Sequence, residues 1–184
     1  MSLNKLLAKK TLLYGTVFLL FFPSLGFLAF GQEIKVKNTE PFVYVTITYK
    51  GAYTEVSQAI NMLMYNARRQ NILPTGPTFG IFPFSPLEEQ KETPQWEVGF
   101  PVNPPINPQA PLQLKQWPVT KVAAITCPGT PSRKKEAYTA LFNWLEENNI
   151  QQAGPLIERY LSLPDETSIS PGNIEIWLPI KSKG

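Results

Sequence analysis

Three glutamates stand beside large rings in strand-like stretches: Glu97 next to Trp96, Glu158 two residues before Tyr160, and Glu175 two residues before Trp177. Tyr44 and Phe82 lie in stretches of the same kind. Carboxylates among aromatics suit a cationic, apolar or planar ligand. Each ring adds cation–π attraction of ~0.5–2 kcal/mol, and a partly desolvated carboxylate adds charge complementarity. A carboxyl in an apolar pocket can also serve as a general acid or base, which gives Glu158 and Glu175 a catalytic alternative. Other chemistries are excluded by composition. The chain of 184 residues has no His and one Cys. That removes Ser-His-Asp and Cys-His catalysis, His-ligated haem and zinc, and any internal disulfide, so no cofactor or metal is expected. The formal net charge of +3 is a local effect. Lys5, Lys9 and Lys10 precede the first acid, Glu33; beyond them Lys and Arg equal Asp and Glu in number. A neutral folded part lacks the basic stripe that phosphates need, so no nucleic-acid partner is expected.

The elements that must position these residues are written twice. Shifted by 78, the second half falls on the first without a gap: Gly51 on Gly129, Asn71-Ile72 on Asn149-Ile150, Gly76-Pro77 on Gly154-Pro155, Glu97 on Glu175, and Pro101 on Pro179. The units are 34–102 and 112–180, joined by a Pro-rich linker, 103–111, which is stiff and extended. Alternation over 41–50 and 119–127 predicts a strand. A helix follows over 54–70 and 132–148, with Thr54 and Ser132 as N-caps and Asn71 and Asn149 in the left-handed turn beyond. Its apolar stripe is Val56, Ile60, Leu63 and Ala67 in the first copy. Two more strands close each unit, at 79–84 and 95–102, and at 156–163 and 173–180. A short strand opens each, at 34–37 and 112–115. The fold class is α+β: duplicated β-α-β-β units forming an antiparallel-rich sheet, with both helices on one face.

Period-two alternation assigns the faces. Ile174, Ile176, Leu178 and Ile180 go under the helices, so Glu175 and Trp177 point away. Ile157 and Leu161 go to the core, so Glu158 and Tyr160 point away with Phe82, which the repeat aligns with Tyr160. Glu97, Glu158, Glu175, Tyr44, Phe82, Tyr160 and Trp177 are therefore expected together on the helix-free face. Gly80 aligns with Glu158, which leaves room on one side of the pseudo-twofold axis and one charge on the other.

Residues 11–30, TLLYGTVFLLFFPSLGFLAF, carry no charge and are long enough for a ~30 Å hydrocarbon core. They are expected to cross the lipid bilayer. The lysines before them put the N-terminus in the cytoplasm and residues 32–184 on the outer side. The alternative is a signal peptide cut after Gly31, giving a secreted protein. The run Arg133-Lys134-Lys135 opens the second helix and reads as a solvated face.

Three stretches carry a family likeness. Tyr49-Lys50-Gly51-Ala52-Tyr53, then Gly76-Pro77-Thr78-Phe79-Gly80-Ile81-Phe82, then Trp96-Glu97-Val98-Gly99-Phe100-Pro101-Val102 resemble the GyrI-like effector-binding domain. Gly154 to Leu161 and Ile174 to Ile180 resemble its closing strands. The resemblance implies a duplicated fold with a ligand cleft between the halves. The family includes drug-binding domains of multidrug-responsive transcription regulators and hydrolases of cyclopropane-bearing genotoxins. It implies that Glu158 meets cationic ligands at the centre of the cleft, with Glu175 a second carry-over. The regulators' helix-turn-helix is replaced here by the apolar segment, which argues against direct transcription control. The turn Cys127-Pro128-Gly129-Thr130-Pro131 lacks the aromatic residue the family often has after the glycine.

Three functions compete: a membrane-anchored module binding a small hydrophobic or cationic ligand; a non-catalytic accessory subunit of a membrane protein complex; and a hydrolase of strained electrophiles using Glu158 or Glu175.

Overall fold

Short alternating stretches punctuated by Gly and Pro build strands too narrow to stand alone, so they must share a sheet. The computed structural model describes residues 33–83, 85–87, 92–118, 120–161 and 172–181. The strands are β1 (Lys35–Thr39), β2 (Phe42–Lys50), β3 (Phe79–Phe82), β4 (Gln95–Pro101), β5 (Gln113–Trp117), β6 (Thr120–Pro128), β7 (Leu156–Tyr160) and β8 (Asn173–Pro179). The helices are α1 (Val56–Arg69), after a 3-10 turn at Tyr53–Glu55, and α2 (Pro131–Glu147). β5, β6 and β8 repeat β1, β2 and β4 at a spacing of 78 residues at both ends. The expected bilayer segment, 11–30, and the strand ends at 84 and 162–163 lie outside the described residues. Among the described residues, no helix is long and apolar enough to cross a membrane.

The eight strands form one sheet in the order β1-β6-β8-β7-β3-β4-β2-β5, and every described pairing is antiparallel. The two units are side by side but exchange their outermost strands. Each lends its first strand to the other: β1 pairs with β6, and β5 with β2. The seam at the centre is β3 against β7, where Gly80 faces Glu158 across the pseudo-twofold axis. The two edges meet at their ends, where Thr39 Oγ1 accepts from Trp117 Nε1 at 3.2 Å and from Thr120 N at 3.1 Å. The sheet is curled.

Curling divides the apolar residues into two cores. The larger lies between the sheet and both helices and holds Val45, Ile47, Phe82, Trp96, Val98, Phe100, Ile125, Leu156, Ile176 and Leu178. α1 contributes Ala59, Ile60, Leu63 and Ala67, and α2 contributes Ala137, Tyr138, Leu141 and Leu145. The smaller lies inside the curl and holds Tyr44, Phe79, Trp117, Val122, Ala124, Ile157 and Trp177, with Phe42 and Ile81 against it. The helix-free face, where the alternation places the candidate ligand pocket, is thus filled by a second core, because the two edges fold over it.

The helix ends differ in part from expectation. Thr130, not Ser132, caps α2: its Oγ1 accepts from Arg133 N at 3.4 Å. Pro131 is the cause, since its fixed φ and missing N–H suit the first helical position and move the start upstream. Thr54 falls in the 3-10 turn, and α1 starts without a side-chain cap. Asn71 and Asn149 take left-handed conformations with φ of 56° and 52°, closing the helices at matching positions.

Candidate functional site

β7 reads Leu156-Ile157-Glu158-Arg159-Tyr160, and its alternation places Leu156, Glu158 and Tyr160 on one side. Leu156 and Tyr160 pack in the larger core, so that side faces the helices. Glu158 therefore points toward α2, not away from it. This corrects the face expected for Glu158, Tyr160 and Phe82. All three lie under the helices, whereas Glu97, Glu175, Tyr44 and Trp177 lie on the helix-free side. The cause is that β7 is apolar on both phases, and the second core makes apolar character useless as a marker of the helix side. A one-residue error of phase then inverts the whole strand.

On the helix side, Glu158 is 1% exposed and has two described partners. Lys134 Nζ donates to its Oε2 at 2.8 Å and the Tyr160 hydroxyl donates to the same atom at 3.0 Å. Oε1 has no hydrogen-bond partner among the described residues. Lys134 is the residue the sequence reading missed. It sits in the first turn of α2 on the inward stripe with Tyr138, Leu141 and Leu145, at the position that Val56 holds in α1. Extending the apolar stripe one turn back through the charge run would have found it.

The floor opposite Glu158 is Gly80. A Cβ there would stand 2.7 Å from Phe82 Cζ and 3.0 Å from the Tyr160 hydroxyl. The seam is therefore closed by side chains rather than by backbone. Phe82 stacks on Trp96 with ring centroids 5.1 Å apart, and Tyr53 meets the Phe82 ring edge-on at 5.0 Å. Burial pushes the Tyr160 hydroxyl well above its ordinary pKa, with Glu158 adding to the effect, so it stays a donor. Burial, then Glu158, raises the Cys127 thiol to about 11, against a smaller opposing pull from Lys134. A raised pKa keeps the thiol protonated near neutrality, the form that is the weaker nucleophile.

The helix-free side has a different character. Glu97 accepts from Lys115 Nζ at 2.6 Å and from Thr46 Oγ1 at 3.2 Å. Glu175 accepts from Lys37 and, at 2.5 Å, from Arg159 Nη1. Burial alone pushes the Glu175 carboxyl up, but Lys37 and Arg159 together outweigh it and hold the pKa below the ordinary 4.5. The Arg159 guanidinium lies 4.3 Å and the Lys37 ammonium 5.0 Å from the Trp177 ring centre. Burial, then Glu97, raises Tyr44 to about 12. A void of about 10 Å³ lies between Phe42, Phe79, Trp117, Ile157, Arg159 and Trp177, no more than a single water requires. A larger groove of about 440 Å³ runs along Ile47, Thr48, Met62 and Ala110 to Gln113, and no charged side chain lines it. The seven expected residues are thus divided. Glu158, Tyr160 and Phe82 form one cluster at the seam; Glu97, Glu175, Tyr44 and Trp177 belong to the paired, packed inner face.

No curated protein matched the sequence. Among solved structures, the EcmrR C-terminal domain superposes with a TM-score of 0.70 at 14% identity, covering 81% of this chain and 97% of that one. EcmrR in an assembly with DNA superposes with 0.71 at 14% identity, where the aligned part is 81% of this chain and 57% of that chain's length. SAV2435, solved bound to tetraphenylphosphonium, superposes with 0.54 at 13% identity, covering 82% and 94%. At these identities the likeness is one of fold. The GyrI-like small molecule binding domain matches residues 32–181, which spans both repeats, the Gly80–Glu158 seam and both helices. The chain belongs to the GyrI-like small molecule binding domain family.

Proposed function

We propose that this protein binds a small hydrophobic cation over the β3–β7 seam, with Glu158 as its counter-charge. The observation that carries this is a carboxylate buried at the pseudo-twofold axis and set among rings, with one oxygen unpartnered among the described residues. Its only described charged partner is the side chain of Lys134, and the sister position is glycine, so the architecture of the unit does not by itself require the charge. Half-buried Tyr160 supplies an aromatic face for the apolar part of the ligand, with Phe82 and Trp96 packed in the core beneath the helices. The tetraphenylphosphonium bound by SAV2435 supplies the chemical class to try first. Glu175 and Glu97 are assigned no part, because they lie on the helix-free side, away from the Glu158 carboxylate, and pair there with Lys37, Arg159 and Lys115.

Calorimetric titration of the full chain with tetraphenylphosphonium tests the reading. Glu158→Gln should weaken the cation roughly tenfold or more, the scale of a lost charged contact, and leave neutral triphenylphosphine oxide unchanged. Equal loss for both would end the charge role. The apolar stretch 11–30 tethers the domain to the bilayer with the N-terminus cytoplasmic. Carbonate-resistant membrane association and protease sensitivity of residues 32–184 from the outer side check this; a soluble, shortened chain would mean cleavage.

A further inference from the structure

The ammonium of Lys134 lies where the charge of a cationic ligand would have to lie. It is 2.8 Å from Glu158 Oε2, while the Lys134 side chain keeps 22% of its surface exposed and Glu158 keeps 1%. The lysine thus reaches from the protein surface into the seam, with its stem against the core and its tip on the carboxylate. We infer that Lys134 is a tethered occupant of the cation site, which a bound cation displaces. The inference rests on the binding reading above and names how that same site is held when empty.

Three features support it. First, the pair has no counterpart in the sister unit. Val56 stands where Lys134 does, and Gly80 where Glu158 does. The same building block folds with neither charge, and here both are present together, so the pair is matched to itself rather than required by the architecture. Second, Lys134 is placed against local electrostatics. The first turn of α2 contains no acid, and Arg133 and Lys135 flank it. A cation at a helix N-terminus faces the positive end of the macrodipole. Arg133 is tied to Glu136 on the exposed side, at 2.7 Å. Lys134 alone of the three turns inward. Third, both described contacts of Glu158 fall on Oε2, so Oε1 keeps its capacity for a ligand.

Displacement conserves charge in the seam. One cation leaves Glu158 as another arrives, and the released ammonium regains water without a bond breaking or a proton moving. Affinity is then set by a contest that an ammonium tip loses to a weakly hydrated, ring-bearing cation, which gives up less hydration on burial and meets the half-buried Tyr160 ring. Small hydrated cations gain nothing over the tether and are excluded.

The test uses the full chain and tetraphenylphosphonium. Reductive methylation of wild-type lysines, read by mass spectrometry, should be slow at Lys134 without the cation and at least several-fold faster at saturation, with Lys135 unchanged. Lys134→Met should bind the cation roughly tenfold more tightly, a ratio that corresponds to ~1.4 kcal/mol. Wild-type binding with no change in Lys134 labelling, and equal or weaker binding by Lys134→Met, would overturn the tether and leave the binding reading standing. Absence of binding in wild type and variant alike would overturn both. If Lys134→Met fails to fold, the wild-type labelling decides alone.

Discussion

Gly80 and Glu158 occupy one position of the repeated unit and act in opposite ways. Glu158 brings charge to the axis, and Gly80 removes the side chain that would meet it. The Phe82 ring rim and the Tyr160 hydroxyl fill that space, and neither is free to move far: Phe82 is stacked on Trp96 and met edge-on by Tyr53. Gly80→Ala is therefore expected to overpack the seam and cost about 1–3 kcal/mol by chemical denaturation, with weaker cation binding as well. An unchanged midpoint would mean that Phe82 swings aside easily. The residue scale is also where the sequence was hardest to read. Glu158 was identifiable as a special residue, because the repeat aligns it with Gly80. Its direction was not, because Ile157 and Leu161 are as apolar as Leu156 and Tyr160. Lys134 was hidden by its neighbours: in a run of three cations, the one that turns inward is set by helical phase, which only the stripe Tyr138, Leu141 and Leu145 reveals.

At the scale of elements, exchanged strands place the Lys37–Glu175 and Lys115–Glu97 pairs. Lys37 on β1 reaches Glu175 on β8 over β6, and Lys115 on β5 reaches Glu97 on β4 over β2. Cross-strand ion pairs of this kind help fix which edge strand sits where. Arg159 makes the Glu175 cluster the stronger of the two, and the sign of its pH dependence follows. The folded-state pKa lies below the ordinary 4.5, so between those two values the unfolded chain binds more protons. The contribution is present above the ordinary value and is lost as pH falls through the folded one. Glu175→Gln is accordingly expected to flatten the acid limb of stability against pH below about 4.5, measured by thermal unfolding, with little change in slope near neutrality. An acid limb identical to wild type would show that Glu175 is not the group responsible. The strands, helices and repeat were legible, since each rests on local periodicity and on Gly, Pro and Asn at fixed spacing. The strand exchange was not: the same alternation would serve β1 whether it paired within its own unit or with the other.

The described residues from 33 to 181 form a curled sheet with a core on each side, and its curl is fastened where β1 and β5 meet. Trp117 does much of that work. It stacks on Phe42 with centroids 6.1 Å apart, fills the inner core and donates to Thr39. Trp117→Ala should destabilise by about 3–5 kcal/mol in urea titrations, and it should leave tetraphenylphosphonium affinity within about twofold, because Glu158, the proposed counter-charge, lies on the other side of the sheet. Loss of affinity in proportion to stability would move the ligand inside the curl. The sequence by itself determined the duplicated α+β unit, the position of the axis between Gly80 and Glu158 and the family likeness, because those depend on residue type, order and spacing along the chain. Only the tertiary structure decided that the sheet closes on itself, that β1 and β5 are exchanged, that Glu158 faces the helices and that Lys134 meets it. Those outcomes depend on which of two apolar faces a strand buries and which distant segments become neighbours. A strand apolar on both phases carries no local instruction for either choice.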